Sequence, residues 1–358
     1  MEPALNDPPT IELGPEDVVE GTDDLPVVEP QRGAAINAPT SSTINPSPYV
    51  GPYRLLAKFP SSSAGEVFLG VRRTEFGYAR RAVVKVVWRR RTGYDELRRA
   101  LLDEARAVAG LDHPNIVKML DAGGGDYGAY VALEFVDGID LQRVITSLRQ
   151  VNKRLPTSLA MFIVIETLRG LAHAHQASDA SGQPLGLVHR DANPSNILVA
   201  RSGHAVLTDF GIVRMRDRYQ SNTSPDLVKG KFRYLAPEYI MHREVDHRVD
   251  IYSMGVVLFE CLSGGPWTEP HSIKAMRKIV NEGLPVDRLT PLGVPPPVIE
   301  LVRRAVSREP AERFQSASEM ADALESYLSW EGIFVSPARL ATFLRPHCVF
   351  ESVNTDVR

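Results

Sequence analysis

Residues 187–211, LVHRDANPSNILVARSGHAVLTDFG, decide the fold of this chain. They contain two short apolar runs, Asn196–Ala200 and Ala205–Thr208, which are separated by the polar turn Arg201-Ser202-Gly203. Two such runs on either side of a glycine-containing turn predict a β-hairpin. Because a hairpin brings its two ends together, the residues that flank its strands should lie close to one another.

Three oxygen-bearing side chains flank the predicted hairpin. Asp191 and Asn196 precede or open its first strand, and Asp209 follows the second. Two carboxylates and an amide in one small volume suit Mg²⁺, which prefers hard oxygen ligands and shares them with the phosphates of a substrate. The segment therefore predicts a site for magnesium and a bound phosphate group.

The order and spacing of these residues resemble the catalytic loop and metal-binding triplet of the protein kinases. The first motif is His189-Arg190-Asp191 with Asn196 five residues later, and the second is Asp209-Phe210-Gly211. The likeness is to bacterial eukaryotic-like (Hanks-type) serine/threonine kinases and covers about Tyr53 to Leu328. It implies an α+β, two-lobed protein-kinase-like fold. The small N-terminal lobe would have a five-stranded antiparallel β-sheet and one main helix, and the larger C-terminal lobe would be mainly helical.

The resemblance assigns a role to each of these residues and to two residues upstream. Asp191 would be the catalytic base, and Asn196 and Asp209 would hold the metal ions that bridge the ATP phosphates. Lys85 lies in an apolar, strand-like run, where a buried ammonium needs an anionic partner. In the family this lysine contacts the α- and β-phosphates and pairs with a helix glutamate, here Glu104.

Further positions would form the ATP pocket. The glycine-rich loop of the family falls at residues 60–65, but only Gly65 and the following Val67 match it, while Pro60 and Ser62 replace its first two glycines. Proline has no N–H to donate and serine resists positive φ, so we expect a stiffer loop with fewer ATP contacts. The predicted ATP-binding residues are Phe59, Pro60, Ser61, Ser62, Ser63, Ala64, Gly65, Val67, Val83, Lys85, Leu133, Glu134, Val136 and Leu198.

Asn193 and Lys231 depart from the family at the predicted reaction centre. Serine/threonine kinases usually carry lysine at the position of Asn193, where it stabilises the γ-phosphate, and threonine at the position of Lys231. These two positions touch in the family. We therefore hypothesise a charge exchange in which Lys231 supplies the ammonium that Asn193 lacks, and both are candidate catalytic residues.

Residues 212–238 resemble the activation segment and the Ala-Pro-Glu motif that ends it. Arg190, next to the catalytic aspartate, suggests control by phosphorylation, since a basic pocket can order a phosphorylated loop. Ala236-Pro237-Glu238 would shape the peptide-binding surface, and Arg313 falls where the family pairs an arginine with this glutamate. The candidate phosphorylation sites are Tyr219, Ser221, Thr223 and Ser224.

Charge is unevenly distributed along the chain. Residues 1–50 carry nine acidic residues and one basic residue, whereas the net charge of all 358 residues is −3, so the remainder carries +5. This charge suits a nucleotide-binding surface but is too small to indicate nucleic-acid binding. The proline-rich, acidic segment 1–52 is predicted to be a disordered tail. The predicted domains that follow are a kinase domain at 53–328, with lobes 53–138 and 139–328, and a C-terminal tail at 329–358 that packs on the larger lobe.

Cys261 and Cys348 are the two cysteines, and their spacing suggests neither a metal site nor a disulfide framework. No apolar run approaches the roughly 20 residues that cross a bilayer, and no signal peptide is evident at the start. The sequence therefore predicts a soluble, cytoplasmic protein without membrane insertion. Its cofactors would be ATP and Mg²⁺, with Mn²⁺ as an alternative ion, and its partners would be proteins that present serine or threonine hydroxyls.

Three functions fit the motifs, and they differ in what they require. A serine/threonine protein kinase that autophosphorylates its activation segment explains the whole catalytic and metal-binding set. A pseudokinase, which would be a nucleotide-binding scaffold or regulatory module on the same fold, explains the departures at Pro60, Ser62 and Asn193 but need not keep that set. A small-molecule kinase of related fold does not explain the Ala-Pro-Glu segment, which in protein kinases shapes the peptide-binding surface. The first function is our prediction.

Overall fold

The computed structural model describes residues 49–59, 66–179, 181–210, 232–241, 243–267 and 281–349, apart from the side chains of Glu104, Ala107 and Phe232. These residues all belong to one structural unit, Asn37–Arg358. Among them, no helix combines the length and the apolar character that a crossing of the lipid bilayer requires.

A six-stranded antiparallel sheet forms the N-terminal lobe. Its strands are β1 (Tyr49–Val50), β2 (Tyr53–Phe59), β3 (Glu66–Arg73), β4 (Ala79–Trp88), β5 (Met119–Gly125) and β6 (Gly128–Glu134). The strands pair in the order β1-β2-β3-β4-β6-β5. Helix α1 (Tyr94–Ala109) packs against β4, β5 and β6. The valine-rich sequence of β4 fits its central position, because β-branched side chains pack well on a pleated surface.

The sheet has one strand more than the five that the sequence predicts. Tyr49–Val50 pairs with Tyr53 and Arg54 around Gly51, whose φ of +53° lies in the left-handed region that glycine adopts without strain. Val50 is buried, and removing its side chain from water offsets the entropy lost by ordering these residues. The predicted fold class, with a small antiparallel lobe and a larger helical lobe, is confirmed.

Helices build the C-terminal lobe. They are α2 (Leu141–Gln150), α3 (Thr157–His175), α4 (Pro237–Ile240), α5 (Arg248–Ser263), α6 (Pro296–Ala305), α7 (Ala317–Trp330) and α8 (Pro337–Leu344). Helices α3 and α5 are buried on nearly all sides, as their mostly apolar circumference predicts.

A small antiparallel sheet lies where the two lobes meet. Its strands are β7 (Gly138–Asp140), β8 (Ile197–Ala200) and β9 (Ala205–Leu207), paired in that order. The pair β8–β9 is the hairpin that the sequence predicts. A parallel bridge between Ile116 and Leu207 joins this sheet to the segment that leads into β5, so the hairpin is anchored to both lobes.

A buried ion pair ties α4 to the segment between α6 and α7. Arg313 donates from Nη1 and Nη2 to the two carboxylate oxygens of Glu238, at 2.7 and 2.8 Å. The guanidinium also donates to the backbone carbonyls of Arg248, Ser307 and Arg308. Since both side chains are buried, these contacts replace the water that the charges lose on folding.

Replacing Arg313 by alanine should lower the free energy of unfolding by roughly 3 to 5 kcal/mol, because Glu238 would stay buried without a counter-charge. Urea unfolding at pH 7, followed by circular dichroism, measures the change. Arg303→Ala is the matched control, since it removes an exposed pair with Asp287 and should change stability little. Equal stability of the two variants would show that the buried pair contributes nothing specific.

Candidate active site

The catalytic loop is held by the buried carboxylate of Asp250, in the first turn of α5. Its Oδ2 and Oδ1 accept the backbone N–H groups of His189 and Arg190, each at 2.8 Å, and His175 Nε2 lies 2.8 Å from Oδ2. Burial by itself raises the pKa of this carboxyl, but its contacts with His175 and His189 outweigh burial, and the pKa is lowered from 3.8. The carboxylate therefore stays ionised at neutral pH.

Arg190 and Asp209 have left-handed backbone conformations, with φ of +63° and +61°. Such values are uncommon outside glycine, and they persist at functional sites where the surroundings hold them. Here Asp250 holds the backbone N–H of Arg190, and Lys85 holds the side chain of Asp209. The two unusual conformations lie next to Asp191 and at the end of the hairpin.

A continuous set of contacts connects Lys85 to Asp191. The ammonium of Lys85 forms a salt bridge with Oδ1 of Asp209. The preceding residue, Thr208, donates its backbone N–H to the carbonyl of Asn196 at 2.9 Å. Asn196 in turn donates from Nδ2 to the carbonyl and Oδ2 of Asp191, at 2.7 and 3.1 Å. The structure thus places Lys85 against Asp209 and Asn196 against Asp191, and one backbone hydrogen bond links the two pairs.

Asn193 is buried and faces Asp191. Its Nδ2 donates to the carbonyl oxygen and to Oδ1 of Asp191, at 2.7 and 3.0 Å, while its Oδ1 accepts the backbone N–H of Ser195 at 3.0 Å. Each carboxylate oxygen of Asp191 therefore receives one amide N–H, from Asn193 or from Asn196. At the position where the family usually carries lysine, this chain has an amide that orients the carboxylate.

Apolar side chains from both lobes meet next to Lys85. Val83 of β4, Leu133 of β6, Val136 and Leu198 of β8 belong to one hydrophobic cluster. Val83 and Leu133 are directly opposite each other in the sheet. Because Val83, Val136 and Leu198 are only half-buried, they are available to line a cleft.

The remaining described residues of the predicted ATP pocket lie on β2, β3 and the end of β6. Phe59 pairs with Val67, and Val67 pairs with Lys85, so both apolar residues lie close to the lysine in the sheet. Glu134 donates its backbone N–H to the carbonyl of Lys118 at 2.8 Å. An adenine contact to the backbone of Glu134 would therefore use its carbonyl group.

Several predicted site residues lie outside the described part of the chain. Lys231 is one of them, so the charge exchange with Asn193 stays a hypothesis. The backbone of Glu104 lies in α1, but its side chain is not described, and its pairing with Lys85 stays a prediction. Also outside are the loop residues Pro60, Ser61, Ser62, Ser63, Ala64 and Gly65 and the candidate phosphorylation sites Tyr219, Ser221, Thr223 and Ser224.

Buried polar side chains that the sequence patterns did not single out hold the hairpin in place. Glu166 of α3 accepts the backbone N–H of Ala205 at 2.6 Å, and it lies 3.0 Å from His204 Nδ1. Asn115 donates from Nδ2 to the carbonyl of Ala205 at 2.9 Å. A single glutamate within the apolar sequence of α3 is the signal that could have indicated Glu166, whereas the partner of Asn115 has no local signal.

Asn196 and Asp209 are the described candidates for metal binding. Their amide and carboxylate oxygens are hard donors of the kind that Mg²⁺ prefers. Within the described residues, no group of three or more His, Cys, Asp or Glu side chains is placed to hold a metal ion. A donor set this small fits a cation that takes its other ligands from substrate phosphates and water.

Comparison with known proteins identifies the family. A family model described as protein kinase domain matches residues 53–325, and the chain belongs to this family. The family predicted from the two motifs is thereby confirmed. Membership implies the use of ATP and of a divalent metal ion.

Several bacterial kinases are similar to this chain along most of its length. Tyrosine-protein kinase MasK of Myxococcus xanthus is 32% identical over 301 residues, which are 84% of this chain and 46% of MasK. Serine/threonine-protein kinase PknL of Mycobacterium tuberculosis is 31% identical over 275 residues, which are 76% of this chain and 65% of PknL. The chain thus spans less than two thirds of the length of these relatives. The crystal structure of the Mycobacterium tuberculosis PknI kinase domain is similar with a TM-score of 0.53 and 27% identity, over 77% of this chain and 96% of that chain.

Asn193→Ala should lower kcat for phosphoryl transfer about ten- to a hundredfold, because the Asp191 carboxylate loses a charge-assisted hydrogen bond. Steady-state kinetics with a peptide substrate measures the loss. Ser195→Ala is the control, since it keeps the backbone N–H that bonds to Asn193 and changes only an exposed side chain. An Asn193→Ala enzyme as active as this control would refute the orienting role.

Asp250→Asn should lower the free energy of unfolding at pH 7 by roughly 3 to 5 kcal/mol, because a buried charge and its hydrogen bonds are lost. The folded pKa of Asp250 is lowered from 3.8, so its contribution is complete above that pH and is lost as the pH falls through the folded pKa. Urea unfolding between pH 7 and about pH 3 measures this loss. The difference in the free energy of unfolding between the wild type and Asp250→Asn should shrink as the pH falls. The exposed Asp287→Asn is the control, and a pH-independent gap for Asp250→Asn would contradict the prediction.

Proposed function

We propose that this chain is an ATP-dependent protein serine/threonine kinase that transfers the γ-phosphoryl group of ATP to protein hydroxyls and phosphorylates its own activation segment. The set of contacts from Lys85 through Asp209 and Asn196 to Asp191 carries this proposal. Phosphoryl transfer passes through a loose transition state and depends on positioning and charge neutralisation. The ammonium of Lys85 on Asp209 and the amide of Asn196 on Asp191 supply groups for both.

Asp191 is the proposed catalytic base, and Asn193 and Asn196 are the residues that orient it. A carboxylate has about four acceptor sites, so an oxygen that accepts one amide N–H can also accept a hydroxyl. The substrate hydroxyl would donate its proton toward Asp191 as its oxygen attacks the γ-phosphorus, and ADP would leave with the bridging oxygen. A carboxylate held in one orientation loses little freedom in this step.

Lys85 is the proposed contact for the α- and β-phosphates. In the structure its ammonium neutralises Asp209, and the family pairs this lysine with Glu104 as well. The adenine would lie between the apolar side chains of Val83 and Leu198, which come from the two lobes. The other proposed ATP contacts are Phe59, Val67, Leu133, Glu134, Val136 and the loop residues 60–65.

Asn196 and Asp209 would hold Mg²⁺, with Mn²⁺ as the alternative ion. A bound divalent cation neutralises charge on the phosphate oxygens as the phosphoryl group is transferred. The hard oxygen donors of these two side chains support this choice. Asp209 would then exchange its contact with Lys85, in whole or in part, for the cation.

Arg190 supports the proposal that phosphorylation of the activation segment controls activity. Its Nε is buried and has no hydrogen-bond partner among the residues that the structure describes. A phosphorylated side chain offers several strong acceptor oxygens for such a donor. The proposed phosphorylation sites are Thr223 and its neighbours Tyr219, Ser221 and Ser224.

Lys231 remains the proposed source of an ammonium near Asn193.

The domain limits and the cellular location are also proposals. The match of the family model to residues 53–325 supports a kinase domain at 53–328, which β1 extends back to Tyr49, with an acidic tail before it and a C-terminal segment after it. Both cysteines are free and buried thiols, which supports a reducing compartment such as the cytoplasm. Proteins with serine or threonine hydroxyls are the proposed substrates, since the relative PknL is named a serine/threonine-protein kinase.

An autophosphorylation assay with ATP labelled in the γ-phosphate tests the proposed function. The wild-type chain should incorporate label in the presence of Mg²⁺, and Asp191→Asn should incorporate at least about a hundredfold less, since it lacks the base. Asp112→Asn, which changes an exposed carboxylate paired with Lys118, is the control. Absence of transfer in the wild type, together with thermal stabilisation by Mg²⁺ and ATP, would favour the pseudokinase.

The same labelled protein tests the residue specificity. Acid hydrolysis followed by phosphoamino-acid separation should yield phosphoserine or phosphothreonine. MasK is named a tyrosine kinase, so this outcome is not set by family membership. Phosphotyrosine alone would overturn the serine/threonine assignment and leave the kinase assignment intact.

A further inference from the structure

The turn of the β8–β9 hairpin contacts the C-terminal helix α8 through backbone atoms. Gly203, in the turn between β8 and β9, is buried and has a φ of +93°. A Cβ atom at this position would lie 1.8 Å from the carbonyl oxygen of Pro337, the first residue of α8. This approach is possible only for glycine, because any side chain would overlap rigid backbone rather than the movable end of a side chain.

Helix α8 is firmly seated on the C-terminal lobe. Leu340 and Leu344 are fully buried, and Cys348 is 6% exposed, all within the same hydrophobic core as Val199 and Ala205 of the hairpin. Ser336 caps the helix by accepting the backbone N–H of Arg339 at 3.3 Å. These contacts fix the N-terminus of α8 against the hairpin turn.

The segment that carries α8 lies beyond the match to the family model, which ends at residue 325. The match to the family model therefore does not cover this contact. The hairpin is the element that carries Asn196 directly before β8 and Asp209 two residues after β9. Its turn is held by α8, while Glu166 and Asn115 hold the backbone of β9.

We propose that α8 is a positioning element for catalysis, and that Gly203 is the positioning residue through which it acts on Asn196 and Asp209. Two short strands joined by ladder hydrogen bonds move nearly as one body, so a shift at the turn displaces their other ends. A displacement of about 1 Å at a reaction centre can lower the rate up to a hundredfold. This inference rests on the proposed kinase activity and concerns the same site.

Gly203→Ala is the direct test, and the chain offers a matched control. Gly203→Ala introduces both strain in a left-handed backbone and overlap of the new Cβ with the carbonyl oxygen of Pro337. Gly182, in the exposed insert before the catalytic loop, has a φ of +81° and has no heavy atom within 4 Å of the Cβ that alanine would add, so Gly182→Ala introduces the strain alone. Gly203→Ala should lower kcat about tenfold with less than about a threefold change in the KM for ATP, whereas Gly182→Ala should match the wild type.

Leu344→Ala loosens α8 without changing a residue of the hairpin, and it covers the case in which Gly203→Ala fails to fold. Burial raises the pKa of the Cys348 thiol to about 11, so this thiol should react slowly with a disulfide reagent while α8 is seated. In Leu344→Ala its reaction should be faster, and kcat should fall at temperatures well below unfolding. Leu344→Met, which keeps the side-chain volume, should restore both properties.

The double variant Gly203→Ala/Leu344→Ala tests the coupling. If both changes act through one contact, the loss of kcat in the double variant should be smaller than the product of the two single losses. Fast labelling of Cys348 in Leu344→Ala with an unchanged kcat would overturn the inference, because α8 would then be loose without consequence. A wild-type chain that transfers no phosphate would instead overturn the proposed function.

Discussion

The geometry of the active site depends on one buried carboxylate, that of Asp250. A fully buried charge is tolerated only when hydrogen bonds replace its hydration, and here two consecutive backbone N–H groups and His175 do so. Its place in the first turn of α5 adds the favourable field of the helix N-terminus. Because adjacent residues, His189 and Arg190, must both point their N–H groups at it, one loop conformation is selected. Arg190, one of these two donors, has a left-handed backbone.

The second constraint is the charge pair that joins the lobes. Lys85 lies in the middle of the N-terminal sheet, while Asp209 follows the hairpin of the C-terminal lobe. The surroundings of Lys85 are mostly apolar, so its ammonium needs a carboxylate close by. The pair therefore ties the sheet of the N-terminal lobe to the end of the hairpin in the C-terminal lobe. Asn193 and Asn196, which precede the hairpin, donate amide N–H groups to the carboxylate of Asp191. Because amides are neutral, they orient this carboxylate without adding net charge to the site.

Much of the fold could be predicted because it follows from local patterns of apolar and polar residues in the sequence. The apolar runs around Gly203 predict the hairpin, and the apolar circumference of Thr157–His175 predicts a buried helix. The sixth strand, Tyr49–Val50, was missed because two residues carry no periodicity, and their pairing depends on a left-handed turn at Gly51. The contact of α8 with the hairpin was missed for a related reason, since Gly203 looks like an ordinary turn glycine until Pro337 is placed against it.

The sequence by itself determined the identity, order and spacing of Asp191, Asn196 and Asp209, and with them the family and the chemistry that the site can perform. Local propensity and periodicity also determined most strands and helices. Only the tertiary structure decided what Asn193 does, which groups hold the hairpin and how the C-terminal helix meets it. These are contacts between segments that are remote in the sequence. Each requires a donor and an acceptor, or two backbones, to meet at a distance that no local pattern specifies.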